Sequence, residues 1–218
     1  MLSKSLVISN YNNDLKWLYP ILNKNPKLTC YLYDKSEVIN TEYLQTFKVK
    51  QIPNVGYNIL SYCTHIIDNY NSLDDIIIFI KGNLIERAHT TLENFEKALN
   101  LNTFFLIERY HESTHLTVND NGYVEPNNNW YASYHPSKYA STYNDFLNLL
   151  FESPHHPQYI RFAPGANFVV PKWNILKYSK SFYERLAEIV SHDKLSLESH
   201  FAERAFYSIW TCDYKEKT

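Results

Sequence analysis

Several polar residues follow apolar runs of strand type, at the positions where such strands end. Asn10 and Tyr11 follow the first run, Asp34 follows the second, and Lys81 follows an isoleucine-rich run. These side chains offer hydrogen-bond donors, hydrogen-bond acceptors and one cation. Residues 54–58 precede a helix-type stripe, and the N-terminus of a helix favours anions such as phosphate. The pattern indicates a site for a polar ligand, and ordinary turn chemistry is the alternative interpretation.

A second pattern, His111-Glu112-x-x-His115, matches the zinc-protease signature. In that signature both imidazoles bind zinc from one face of a helix and the glutamate polarises a water molecule. Here the pattern directly follows a strand-type run, and residues 116–120 are poor helix sequence. The extended form of the motif also lacks the glycine and the third histidine that it needs. A zinc metalloprotease is therefore a less favoured alternative.

Strand and helix patterns alternate along the chain and must position these residues. Strand patterns cover residues 5–9, 29–33, 47–52, 76–80, 104–107, 159–162 and 166–170. Helical spacing covers residues 12–22, 59–70, 90–99, 143–151, 182–190 and 202–210, with a start signal at residues 53–54 for the second helix. Residues 119–129 are polar and predict a surface loop. Alternating strands and helices predict an α/β fold with a mainly parallel sheet, in which ligands bind beyond the carboxyl ends of the strands.

Composition excludes several classes of protein. The 218 residues carry a formal net charge of −2, so there is no basic field for nucleic acid. No apolar run approaches the ~20 residues of a membrane span, and the first ten residues lack a signal-peptide pattern. The three cysteines, Cys30, Cys63 and Cys212, form no CxxC pair. We therefore expect a cytoplasmic protein with reduced thiols and no nucleic-acid partner.

Six segments in a fixed order carry a resemblance to a known family. They are residues 7–18, 54–58, 69–75, 79–83 and 162–170, followed by Glu203-Arg204 with Trp210. Together they resemble an uncharacterised-domain family related to GT-A-type glycosyltransferases. The resemblance implies a single domain, residues 1–218, with a GT-A-like (Rossmann-like) sheet flanked by helices. Residues from about 1 to 110 would form the nucleotide-sugar-binding half, and residues from about 111 to 218 the acceptor side.

The resemblance also implies roles for individual residues. The residues that would bind the nucleotide-sugar donor are Asn10, Tyr11, Asp34, Asn54, Gly56, Asn58, Gly82 and Asn83. Those on the acceptor side would be Arg161, Gly165, Asn167 and Arg204. The implied partners are a nucleotide diphosphate sugar, with UDP-sugars favoured, and a glycan or another hydroxyl acceptor.

One departure from the GT-A pattern concerns the metal. Lys81-Gly82-Asn83 occupies the place where GT-A enzymes usually carry Asp-x-Asp, which binds Mg²⁺ or Mn²⁺. Asn83 is a weak metal ligand, so metal dependence stays open. Lys81, with Arg87, His89 or Arg161, would then supply the positive charge on the leaving diphosphate. The alternative is a catalytically inactive nucleotide- or carbohydrate-binding module that keeps the fold and has lost the chemistry.

Sugar transfer with inversion needs a carboxylate that removes the acceptor proton. We choose Glu203, which lies about 100° from Ala202 on the flank of a buried helical stripe. Burial at the rim of a cleft would raise the pKa of such a carboxyl group. A solvated Glu203 that pairs with Arg204 is the structural alternative. Trp130 and Trp173 are candidate platforms for sugar rings, although most aromatic residues pack in cores.

Overall fold

The apolar runs of the sequence form the strands of a six-stranded mixed sheet. The computed structural model describes residues 2–108, 130–156 and 160–217 in full, and residues 115–119, 122–124 and 159 by their backbone. In chain order the strands are β1 (Lys4–Asn10), β2 (Thr29–Asp34), β3 (Lys48–Gln51), β4 (Ile76–Lys81), β5 (Phe105–Leu106), β6 (His115–Asn119), β7 (Gly122–Val124), β8 (Tyr159–Arg161) and β9 (Phe168–Pro171). Within the described residues the chain forms one α/β domain.

The main sheet has the strand order β3-β2-β1-β4-β9-β5. Strands β1 to β4 are parallel, and β9 runs antiparallel to both β4 and β5. A second, antiparallel sheet has the order β7-β6-β8. In the parallel part, Ser9 pairs with Tyr33 on one side and with Lys81 on the other. The carboxyl ends of β1, β2 and β4 therefore lie side by side.

Seven α-helices are present in the described part of the chain. They are α1 (Tyr19–Lys24), α2 (Ile59–Asn69), α3 (Leu92–Leu99), α4 (Tyr143–Leu150), α5 (Lys172–Ile175), α6 (Lys180–Val190) and α7 (Leu197–Thr211). Threonine or serine side chains cap the N-termini of α3, α4, α6 and α7 by accepting a backbone hydrogen bond.

The sheet separates two apolar cores. Alternate residues of β4 point to opposite faces, so Ile77 and Phe79 join one core and Ile76, Ile78 and Ile80 join the other. Helices α2, α4, α6 and α7 pack into the first core, and α1 and α3 pack into the second. Both faces of β4 are buried, which confirms that this strand is central in the sheet.

The structure corrects several element predictions. The helix expected to start near residue 54 begins at Ile59, because the preceding residues turn at Gly56 and Tyr57 with positive φ. β5 is a two-residue edge strand in which Phe105 is 44% exposed, so the expected buried strand is wrong there. Part of the loop predicted at residues 119–129 pairs as β6 and β7.

The helix expected over residues 12–22 is replaced by a short 3₁₀ turn and by α1. Among the described helices, none is both long enough and apolar enough to cross a membrane.

Burial of His65 on α2 makes the stability of the fold depend on pH. The side chain is 1% exposed, and its Nδ1 lies 3.1 Å from the Tyr33 hydroxyl oxygen. Burial lowers the pKa of His65 to about 4, whereas an unfolded histidine titrates near about 6.5. The unfolded chain therefore binds this proton at a higher pH than the folded chain does. The stabilisation is complete above about pH 6.5 and is lost as the pH falls towards the folded pKa.

Between pH 7 and pH 4.5, we expect the free energy of unfolding to fall in both proteins. The fall should be smaller in His65→Gln than in the wild type by roughly 2 kcal/mol. Urea unfolding at the two pH values measures the difference. The control is His156→Gln, which changes an exposed histidine and should follow the wild type. Equal pH dependence in all three proteins would contradict the assignment.

Candidate functional site

The carboxyl ends of β1, β2 and β4 border one cleft of 610 Å³. Asn10, Lys35 and Lys81 line it from the three strand ends, and the turn before α2 supplies a second side. His200 of α7 lines it as well. Parallel register alone brings the strand ends together, so the location agrees with the general rule for ligand sites in parallel sheets.

Lys81 and Gly82, at the end of β4, have different roles. The side chain of Lys81 lines the cleft, and the backbone of Gly82 lies close to Asn10 of β1. The Lys81 ammonium donates a hydrogen bond to the Tyr57 hydroxyl and lies 4.5 Å from the centroid of that ring. Gly82 does not line the cleft. A Cβ there would collide with Asn10 Oδ1, and its carbonyl accepts from Trp17 Nε1 at 3.0 Å. Gly82 therefore lets the ends of β1 and β4 pack closely.

The charge of the cleft is one-sided. Four lining residues are Lys or Arg, namely Lys35, Lys81, Arg87 and Lys194, and in the described part of the chain none of the lining residues is Asp or Glu. Lys194 Nζ lies 4.9 Å from the centroid of the Tyr11 ring, which lines the same cleft. This arrangement attracts an anion.

Lys35 is a cleft residue that the sequence analysis did not select. It is 5% exposed, and its ammonium donates to the carbonyl oxygens of Val55, at 2.7 Å, and Tyr57. Burial lowers its pKa to about 7, and a bound anion would favour the charged form. Its position directly after Asp34 at a strand end was the available signal.

Two of the residues suggested to supply positive charge beside Lys81 do not supply it in the cleft. Burial and the nearby Lys81 lower the pKa of His89 to about 4, so this imidazole is neutral at pH 7. Arg161 Nη2 pairs with Glu108 Oε1 at 2.9 Å and does not line the cleft. Arg87 does line it.

The residues predicted to bind the donor fall into two groups. Those that line the cleft are Asn10, Tyr11, Asn54, Asn58 and Asn83. Asp34 faces an adjoining cavity of 370 Å³ that shares Asn10 with the cleft, and its carboxylate accepts from the Ser36 hydroxyl at 2.7 Å. Gly56 lines neither cavity. A Cβ there would sit 3.1 Å from the Val190 carbonyl oxygen of α6, so this glycine allows close packing against that helix.

Unpaired polar atoms also occur on the residues that line the cleft. Four buried side-chain atoms have no hydrogen-bond partner among the described residues, namely Asn58 Oδ1, Asn83 Oδ1, His89 Nε2 and His200 Nε2. The amide of Asn58 is oriented by the Gly165 carbonyl, which can only accept and which takes its hydrogen bond from Asn58 Nδ2 at 2.5 Å. Such atoms favour a polar ligand, because an unpaired buried group costs free energy.

The acceptor-side residues hold the loop between β8 and β9 against the cleft. Gly165 has a φ of +81°, and a Cβ there would lie 2.7 Å from Lys81 Cδ. Asn167 accepts from the Lys81 backbone N–H at 3.0 Å and donates to the Pro164 carbonyl. Arg204 is buried, with its guanidinium 4.7 Å from the ring centroid of Tyr131. Gly165, Asn167 and Arg204 position the loop and do not line the cleft.

Glu203 lies at the same edge of the sheet as Lys81, behind Gly165. Its Oε1 accepts from the Gly165 N–H at 2.8 Å, and its Oε2 lies 3.5 Å from Arg204 Nη1. The residue is 5% exposed and is not among the lining residues. The carboxylate is therefore next to the cleft, with one oxygen engaged in holding the loop.

Four aromatic rings and imidazoles in a row form one side of the cleft, and we call them the ring wall: Tyr57, His200, His135 and Trp130. Tyr57 stacks on His200 at 5.8 Å between centroids, and His200 stacks on His135 at 4.8 Å. Trp130 contacts His135 at 5.7 Å. His135 and His200 both line the cleft, and the sequence analysis did not select either of them.

A comparison with family models identifies the family of this chain. The model described as "Protein of unknown function (DUF3431)" matches residues 6–218. The chain belongs to this DUF3431 family. A search of curated proteins and a search of solved structures each found no match.

The metal-binding predictions can be examined on this DUF3431 chain. Within the described ranges, no group of three or more His, Cys, Asp or Glu side chains is arranged to hold a metal ion. His111 and Glu112 of the zinc-protease pattern lie outside the described residues. His115 begins strand β6, whereas that signature requires a helix. Asp75 lies at the opposite end of β4 and pairs with Lys172.

Gly56 and Gly165 of the DUF3431 chain allow a matched test of the site. Both have positive φ, so alanine at either position strains the backbone and should lower the free energy of unfolding by about 1 kcal/mol or more. Only Gly165→Ala pushes against Lys81. We expect Gly165→Ala to weaken binding of inorganic pyrophosphate and Gly56→Ala to leave it unchanged. Urea unfolding and calorimetry measure the two effects, and equal loss of pyrophosphate affinity in both variants would contradict the cleft assignment.

Proposed function

We propose that this protein is a glycosyltransferase that moves a sugar from a nucleotide diphosphate sugar, with UDP-sugars favoured, to a hydroxyl of a glycan or another acceptor. The observation that carries the proposal is the cleft at the carboxyl ends of the parallel strands, whose described lining contains four basic residues and no acidic residue. A diphosphate is the anionic group that such a cleft suits. The parallel order of β3, β2, β1 and β4 supports the GT-A-like form of the fold.

The leaving diphosphate would be held by protein cations. Lys81 and Arg87 line the cleft near the end of β4, and Lys35 and Lys194 line it from other elements. Fixed positive charges stabilise the negative charge that develops on the leaving oxygen. Mg²⁺ and Mn²⁺ prefer carboxylate ligands, and the amide of Asn83 is a poor substitute. The donor set therefore supports a mechanism in which cations replace the metal.

The nucleoside would occupy the adjoining cavity. Asp34 and Asn10 line that cavity, and Asn10 lines the cleft as well. A carboxylate accepts hydrogen bonds from a uracil imide or from ribose hydroxyls. The shared wall at Asn10 connects this cavity to the cations that would hold the diphosphate.

Transfer would be a direct displacement at the anomeric carbon. A bond forms between that carbon and the acceptor oxygen, the bond to the diphosphate oxygen breaks, and the proton of the acceptor goes to a carboxylate. This step inverts the configuration of the anomeric carbon. Glu203 is the proposed base, since its carboxylate lies directly behind Gly165 at the cleft.

A second candidate is a nucleotide- or carbohydrate-binding module without catalysis. Glu203 is 5% exposed and uses one oxygen to hold the Gly165 N–H, which favours a purely structural role. Binding of UDP without turnover of any donor would be the behaviour of such a module.

Metal-independent binding is the first expected result. We expect UDP to bind with affinities that agree within about twofold in EDTA and in Mn²⁺, and Lys81→Met to weaken binding about tenfold. The control is Lys24→Met, because Lys24 is 67% exposed and pairs with Glu96 on the surface. Titration calorimetry measures all three proteins. A strong requirement for Mn²⁺ would show that a metal supplies the charge.

The variant Glu203→Gln distinguishes a role of Glu203 as the catalytic base from its role in accepting the hydrogen bond of the Gly165 N–H. Glutamine keeps an oxygen that can accept from the Gly165 N–H, but it cannot take a proton from an acceptor. We expect sugar transfer and donor hydrolysis to fall at least about a hundredfold, with UDP affinity unchanged. Glu184→Gln, on the exposed face of α6, is the matched control. Full activity of Glu203→Gln would remove Glu203 from the chemistry, and a wild type that binds UDP without turnover would support the binding module.

A further inference from the structure

Trp130 is an exposed aromatic residue on the lining of a cleft. Trp130 is the first residue of a short 3₁₀ helix, Trp130–Ser133, and it is 50% exposed. The rings of Tyr131, Tyr134 and His135 contact it at interplanar angles of 78°, 49° and 64°. Among the described residues none of these contacts is a parallel stack. Within the described part of the chain, a face of this half-exposed indole is therefore not covered by a stacked ring.

The ring wall connects Trp130 to the cationic part of the cleft. Lys81 Nζ lies 4.5 Å from the Tyr57 ring centroid, and the rings of Tyr57, His200, His135 and Trp130 then follow one another by contact. The cations and the indole thus lie at two ends of one continuous surface. A ligand that fills the cleft would place its anionic part at Lys81 and a different, uncharged part at Trp130.

The middle of the ring wall carries no charge at neutral pH. Burial, reinforced by Arg204, His135 and Lys81, lowers the pKa of His200 to about 3. Burial also lowers the pKa of His135. Neutral imidazoles beside an exposed indole suit a ligand that is apolar on one face and hydroxylated at its edge. Nε2 of His200 is buried and has no hydrogen-bond partner among the described residues.

We propose that Trp130, with His135 and His200, forms the acceptor subsite, in which a pyranose ring of a glycan stacks on the indole. The proposal rests on the proposed function for the orientation of the substrates, with the donor diphosphate at Lys81 and the acceptor glycan at Trp130. It narrows the acceptor to a carbohydrate. A small alcohol would not use the exposed indole face.

The nucleobase of the donor is the other planar group that could stack on an indole. In the proposed orientation the nucleoside occupies the cavity lined by Asp34, and Trp130 does not line that cavity. The arrangement of the two cavities therefore favours the acceptor sugar at Trp130. The test distinguishes the acceptor sugar from the nucleobase.

The test compares Trp130→Ala, the conservative Trp130→Phe and a matched control, Trp173→Ala. Trp173 was the other candidate sugar platform, but it is 56% exposed on α5 and follows β9, whose Pro171 pairs with Ile76 at the far end of β4, so it lies away from the cleft. The probes are UDP and a panel of malto-, cello-, chito- and manno-oligosaccharides, titrated by calorimetry with UDP present. The urea midpoint reports whether each variant is folded.

We expect at least one oligosaccharide to bind the wild type and Trp173→Ala equally. Trp130→Ala should weaken that binding about tenfold, Trp130→Phe should weaken it less, and the UDP affinity should not change. Loss of UDP affinity in Trp130→Ala would assign the indole to the nucleobase and overturn the proposal. Unchanged oligosaccharide affinity in that variant, or no binding by any oligosaccharide, would also overturn it.

Failure of the proposed function gives a different result. If the wild type binds no UDP, the oligosaccharide titrations are repeated without it, and the urea midpoint reports folding. If the wild type then binds an oligosaccharide and Trp130→Ala does not, the sugar subsite is supported, although the protein is not a glycosyltransferase. Absence of binding would overturn both.

Discussion

The geometry of the cleft depends on the close approach of the β8–β9 loop at Gly165. The N–H of Gly165 donates to Glu203 on α7, and its carbonyl accepts from Asn58 at the start of α2. A left-handed φ and the absence of a Cβ let Lys81 pack against the same residue. Three elements that are distant in the sequence are therefore held at one point. Any side chain at this position would separate them.

The same junction explains how charge is distributed around the cleft. The acidic side chain of Glu203 lies behind the loop, where the Gly165 N–H and Arg204 compensate it. The basic side chains of Lys81 and Arg87 stay on the cleft side. Since like charges and burial both disfavour protonation, His89 and His200 remain neutral beside these cations. The cleft thus combines a cationic end with an uncharged wall.

The sequence was sufficient for the sheet and for part of the site. The all-apolar run of β4 predicts a central strand because neither of its faces can meet solvent, and parallel strands bring Asn10 and Lys81 to one edge. Lys35 was missed although it directly follows Asp34 at a strand end, and the ring wall was beyond such reasoning. Lysine and histidine are ordinary surface residues in a sequence, and only tertiary packing of α2 and α7 buries Lys35 and His200 next to the cleft. Gly56 was assigned to a ligand because a glycine at a turn looks the same whether it approaches a phosphate or, as here, α6.

The antiparallel strand β9 has a consequence for the order of events during synthesis. It covers the edge of β4, yet it is encoded some ninety residues later. At a translation speed of about 5–20 residues per second, β9 is synthesised roughly 4–18 s after β4. The nascent chain therefore carries an open, apolar sheet edge while these residues are synthesised, and that edge must be shielded from other chains during the interval.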